Sequence, residues 1–148
     1  MVMAINIFIV LLAGAMLPLQ AGVNSHLARF SGSTLWAAAI SFMVGSIVLI
    51  LVNLLLRTGM PNLSQLKDAP TWAWTGGFLG AFFVTAMTIF APKLGASTLI
   101  ILVITGQLLT AITLDHFGLA GYTASAMSPI RIAGIGLVAL GVFLTYRY

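Results

Sequence analysis

The 148-residue chain is 61% hydrophobic and 5% charged, with a mean hydropathy of +1.15. Soluble domains carry roughly 25% charged residues, so a water-soluble globular fold is excluded and little of this chain belongs outside a bilayer. The net charge of +4 comes from six Lys and Arg against two acids, Asp68 and Asp115, with no Glu. Cations this sparse read as helix-end anchors and form no basic cluster that would hold nucleic acid. No Cys is present, which excludes disulfides, thiolate metal sites and cysteine nucleophiles.

The N-terminal MVMAINIFIVLLAGA has the apolar character of a signal-peptide core, but it lacks a basic leader and the apolar run continues past any cleavage point. It reads as a retained span over about 4–23, with helix continuing toward Phe30. Inside it, LPLQAGVNSHL (17–27) brings Pro18, Gln20, Asn24 and His26 into a segment that is otherwise hydrocarbon. Gln20 and Asn24 are four apart and share a helix face with Leu17 and Ala13. Pro18 has no N–H for the carbonyl of Gly14, and a freed acceptor at lipid depth needs a neighbouring helix, a hydroxyl or water. The amides either glue α-helices together or line a polar cavity.

Gly32 and Ser33 interrupt before a second span over 34–56, bounded by Trp36 and Arg57. The loop RTGMPNLSQLKDAP is the one thoroughly polar stretch, and its Asn62–Lys67 part suits an interfacial helical turn. A third span, 71–91, starts after Pro70 with Trp72 and Trp74 placed as an aromatic belt, and ends in a Pro92–Gly95 hairpin that makes spans three and four antiparallel neighbours. Span four, 96–114, stops at Asp115-His116-Phe117-Gly118, where Gly118 suits a C-cap. Span five, 129–146, opens on Pro129 and closes on Tyr146-Arg147-Tyr148 as an interfacial anchor, with Arg131 snorkelling to the interface. The expectation is an all-α membrane protein, one five-helix transmembrane domain over 1–148. Small residues at four-residue spacing mark close helix approach: Ala37, Ser41 and Gly45 in span two; Gly76 with Gly80, and Gly77 with Ala81 and Thr85, in span three. Gly134 and Gly141 in span five form a weaker stripe.

Five crossings put Arg57, Lys67 and Arg131 on one side and Arg29, Lys93 and Arg147 on the other, three against three. The positive-inside bias that sets orientation then has nothing to act on. The expected consequence is insertion in both orientations and pairing of opposed copies into an antiparallel ten-helix homodimer, the inverted-repeat geometry of many secondary transporters.

Several segments are familiar as a set: PLQAGVNSHL (18–27), SFMVG (41–45), GGFLGAF (76–82), PKLG (92–95), GQLLT (106–110) and DHFGL (115–119). Together they resemble the YdcZ-like family of small five-helix bacterial inner-membrane proteins, placed in the drug/metabolite transporter superfamily. The likeness runs through essentially the whole chain. It implies a five-span fold in the bacterial inner membrane, relatedness to the four-helix small multidrug resistance proteins, and action as antiparallel dimers or opposed pairs. It supplies a class and no ligand. The small multidrug resistance proteins exchange proton and substrate on a first-span glutamate; this chain has no Glu and no acid in its first span, so that coupling scheme does not transfer.

The residues support no hydrolytic or redox catalysis: clustered carboxylates, a zincin motif and a phosphate loop are all missing from the sequence. No metal or other cofactor is called for; the expected partners are the bilayer, a second copy and a small-molecule substrate. Candidate substrate contacts are Gln20 and Asn24 in span one with Gln107 and Thr110, three apart, in span four. The structural alternative for these four is interhelical hydrogen bonding. Trp36, Trp72 and Trp74 either flank a cationic or aromatic substrate or sit in the interface belt. Asp115 and His116 are candidates for proton coupling, with His26 a further one, set against a helix-end pair in the headgroup region. The function these residues suit is transport of a small metabolite or organic cation by alternating access. A non-transporting scaffold packing through its small-residue faces is the alternative, and a passive channel is disfavoured by the lack of a charge ring or carbonyl filter.

Overall fold

A computed structural model describes residues 2–125 and 128–147, with the side chains of 2, 131 and 145–147 outside that description. The snorkelling role of Arg131 and the Tyr146-Arg147-Tyr148 anchor therefore fall outside the described residues. Everything regular among them is helical. Thirty residues with no charge before Arg29 form α1 (Val2–Ser31), unbroken through Pro18. At 1.5 Å per residue α1 is about 45 Å long, longer than the ~30 Å hydrocarbon core. The polar Asn24, Ser25 and His26 do not end it, because a backbone leaving lipid is best satisfied within its own helix.

Ser33 caps α2 (Thr34–Leu56), its hydroxyl accepting from the Trp36 amide at 3.4 Å. The helix closes on Arg57 in the left-handed region (φ 52°), and the Thr58 hydroxyl donates to Asn53 Oδ1 at 2.6 Å. In the polar loop, Asn62 caps the short α3 (Leu63–Lys67) by accepting from the Ser64 amide at 3.1 Å. Pro70 then leads into a 3-10 turn, Thr71–Trp74, continuous with α4 (Thr75–Leu94). Helix α4 does not stop at Pro92 but runs through it to Leu94. The turn is the single residue Gly95 at φ +76°, before α5 (Ala96–Phe117). Gly118 ends α5 and α6 covers Pro129–Arg147.

Among the described residues, four helices are long and apolar enough to cross a membrane: Met3–Ser31, Thr34–Leu56, Thr71–Leu94 and Ala96–Phe117. α6 carries a shorter apolar run, Ile132–Leu144.

By contacts the chain divides into two compact units, Met1–Lys93 and Leu94–Tyr148. In the first, α1, α2 and α4 converge on one small centre. Its buried residues are Ala21 and Asn24 of α1, Ala37 and Ala38 of α2, and Val84, Met87 and Thr88 of α4. Lipid tails are as apolar as Leu, so helices are held by close packing and hydrogen bonds rather than by hydrophobic burial. Small residues do this work here. Ala37 is fully buried, and a Cβ on Gly80 would sit 3.3 Å from the Phe42 ring of α2. Most large apolar side chains of α1 and α2 point outward, as lipid solvent requires. In the second unit α5 packs on α6 and Leu99 is buried.

Gly118 has a conformational reason to be glycine. It takes φ +62°, its N–H bonds back to the Leu114 carbonyl, and a Cβ would lie 3.1 Å from the Ala124 amide nitrogen. Gly118→Ala is expected to cost about 1–2 kcal/mol from the left-handed backbone, and more if Ala124 cannot retreat. It should appear as a lowered thermal unfolding midpoint in detergent.

Candidate functional site

The polar face of α1 meets α4. Leu17, Gln20, Ala21 and Asn24, spaced by three and four, line one wall of a crevice; Phe83, Val84 and Met87 line the other. The crevice is closed so tightly that no water-sized space remains. Gln20 sits exposed at its rim, while Asn24 is 2% exposed. The Asn24 amide nitrogen, Nδ2, is fully buried and has no hydrogen-bond partner. An unmade hydrogen bond on a buried neutral group costs about 1–3 kcal/mol. With no water able to enter, the closed crevice keeps that cost.

Directly beyond Asn24 the two helices are tied. Ser25 Oγ lies 2.7 Å from its own helix's Ala21 carbonyl and 2.9 Å from the Thr88 carbonyl of α4, and its one proton serves both acceptors. The second contact has a covalent cause. Pro92, four residues past Thr88, lacks the N–H that would close the helical bond to that carbonyl. Proline is tolerated inside membrane helices where a neighbouring hydroxyl satisfies the freed group, and Ser25 supplies it. The Thr88 side chain, 1% exposed, turns its own hydroxyl back onto the Val84 carbonyl at 2.8 Å. Ser25 and Thr88 were not among the sequence candidates. The signal that finds them is the rule applied to Pro18: applied to Pro92, it names the Thr88 carbonyl as an acceptor in need of a donor.

The other candidates are placed as follows. Gln107 and Thr110 are both exposed on α5, in the second unit, whereas Gln20 and Asn24 belong to the first. Asp115 is half-buried and lines a cavity of about 470 Å³ between α5 and α6, walled by Leu108, Ala111, Ile112, Gly134, Ile135 and Val138. Its backbone carbonyl accepts from the Ser125 amide at 2.8 Å. His116 is exposed, its ring edge-on to Phe117. His26 is exposed on α1 with its ring 5.3 Å from that of Phe30. No grouping of three or more metal-ligating side chains occurs among the described residues. Among the small residues, Ser41 is half-buried and Ala81 exposed; Gly45, Gly76 and Gly77 have open space where a Cβ would stand. Trp36, Trp72 and Trp74 are all more than half exposed and none lines the α1–α4 crevice.

The family model described as "Putative inner membrane exporter, YdcZ" matches residues 5–144. The inner membrane protein YdcZ of Escherichia coli (strain K12) is 31% identical over 137 residues, covering 91% of this chain and 90% of that protein. No solved structure matches the chain. A family described as a putative exporter implies a transporter rather than an enzyme. This chain belongs to the YdcZ family of inner membrane proteins.

Proposed function

We propose that the chain is a small-molecule exporter that works by alternating access as an antiparallel homodimer, with the Gln20–Asn24 face of α1 in contact with the cargo. The carrying observation is the Asn24 amide: a donor held dry and unpartnered inside a crevice closed by one interhelical hydrogen bond. A scaffold helix gains nothing from such a group, since an apolar residue there would pack without the penalty. A transporter gains a donor that becomes satisfied when the crevice opens onto cargo. Gln107 and Thr110 on α5 are proposed as further contacts, and Asp115, His116 and His26 as the titratable set for coupling. The open positions at Gly45, Gly76 and Gly77 offer the helix faces where a second copy approaches.

The test is flux through proteoliposomes of the purified protein against a panel of small metabolites and organic cations, with and without a pH gradient. Transport of at least one compound above the empty-vesicle rate is expected; no flux across the panel counts against the reading. In the same vesicles, Asp115→Asn should abolish the gradient-driven component and leave downhill exchange. Unchanged gradient dependence removes Asp115 from the coupling set.

The balanced charges predict two orientations, and a cysteine-free chain makes that easy to read. With one thiol introduced by Ser64→Cys in the polar loop, an impermeant maleimide applied to intact cells should label about half the protein, and lysis should expose the rest. Labelling that is all or none establishes a single orientation and removes the antiparallel dimer.

A further inference from the structure

We infer that the cargo taken at the α1–α4 crevice is an uncharged molecule recognised through a hydrogen-bond acceptor, such as a carbonyl or ether oxygen, and not an organic cation. The inference rests on the proposed transport site and names the class of molecule that site takes.

Three features of the crevice select that class. The side-chain atom that is both fully buried and without a partner is Nδ2, a donor, so its complement is an acceptor. Apart from the Gln20 amide at the rim, the surrounding walls, Leu17, Ala21, Phe83, Val84 and Met87, offer apolar contact, and no lining side chain carries a charge. Neither helix contains an acid: the chain's two are Asp68, which ends α3 in the polar loop, and Asp115 on α5 of the other unit. A cation entering here would lose its hydration with no carboxylate on either helix of the crevice to balance it, and like charges stand at the ends of both. Arg29 and Lys93 lie in the last turns of the two helices that form the crevice; each is about 7.5 Å along its axis from Asn24 or Thr88 respectively. The Phe83 ring would attract a cation, but a cation–π contact does not replace a lost hydration shell. Arg29 and Lys93 would draw an anion toward the helix ends, but inside the crevice one amide donor falls short of the several that a buried carboxylate needs.

A matched pair of probes separates the classes. N,N-dimethylbenzamide has an acceptor oxygen and no charge; phenyltrimethylammonium is of similar size, cationic and without an acceptor. Each is titrated into the purified protein in detergent while the thermal unfolding midpoint is followed, because a ligand that binds the folded state raises it in a dose-dependent way. The expected result is a midpoint rise with the benzamide and none with the ammonium. Asn24→Leu should need at least ten times more benzamide for the same rise. Asn24→Asp, which keeps the side-chain shape and adds the missing carboxylate, should reverse the preference in favour of the ammonium. Asn24→Asp also provides the comparison if Asn24→Leu fails to fold. An ammonium response in the unaltered protein at or below the benzamide concentration overturns the inference. So does a benzamide response that Asn24→Leu and Asn24→Asp leave unchanged, or no response to either probe. Flux in vesicles with the ammonium class preferred would sink this inference while sparing the transport reading. Selective benzamide binding without flux of any compound would do the reverse.

Discussion

Asn24→Leu is expected to make the protein more stable and less active at once. Leucine keeps the branched skeleton of asparagine and replaces the amide's two polar branches with methyl groups. The unpartnered Nδ2 disappears, and with it about 1–3 kcal/mol of penalty on the folded state. The neighbours at that position, Leu17, Val84 and Met87, are apolar already. The thermal midpoint in detergent should therefore rise. Flux should fall at least tenfold, which corresponds to a loss of roughly 1.4 kcal/mol of cargo interaction. Asn24→Ala is the informative contrast. It also removes the orphaned donor, but it leaves a gap in a crevice that is now filled, and gaps in packed sites destabilise. A rise for Leu with a fall for Ala identifies the amide itself as the cost. A fall for both would mean that the amide has a partner in the bilayer, and the site would lose its main support. Stability set against activity in this way is common where a binding group is held unsatisfied in the resting state.

The sequence made most of the helix boundaries legible because their causes are local. Ser33 caps α2, Gly118 adopts the left-handed turn that ends α5, and Pro129 opens α6. One boundary ran further than expected for a reason that is also local but specific to lipid: α4 continues past Pro92 to Leu94, and α1 likewise carries its polar residues to Ser31, close to the expected continuation toward Phe30. In a bilayer, breaking the backbone ladder costs more than carrying a polar side chain or a proline. The facing of Gln20 and Asn24 followed from spacing, but the burial of Asn24 beside the exposure of Gln20 did not. A helix that is apolar nearly all round has no periodicity to say which side is inside. The same limit applies to Gln107 and Thr110, which share a face of α5 and are both exposed. The tie between Ser25 and Thr88 spans 63 residues of sequence, and only its proline half is written in a motif.

That tie gives the second large effect. Ser25→Ala deletes the donor to the Thr88 carbonyl, and Pro92 leaves that carbonyl no helical replacement. A buried acceptor stripped of its partner costs about 1–3 kcal/mol, so the thermal midpoint should fall. Pro92→Ala restores the missing N–H and lets the carbonyl close an ordinary helical bond. In that background Ser25→Ala should cost much less, and the coupling from the four-protein cycle should be on the order of 1 kcal/mol or more. Additive effects would show that the serine and the proline do not act on one carbonyl. The same bond holds the crevice shut, so loosening it should also expose what lies behind. Ala21 is 3% exposed on the α1 wall, and Ala21→Cys would place a single thiol there in a chain that otherwise has none. Its rate of alkylation should rise several-fold when Ser25→Ala is added and return toward the starting value when Pro92→Ala is added as well. In that last variant α4 no longer needs a donor from α1, so any increase that remains measures how much the hydroxyl holds the two helices together beyond satisfying the proline's orphaned carbonyl.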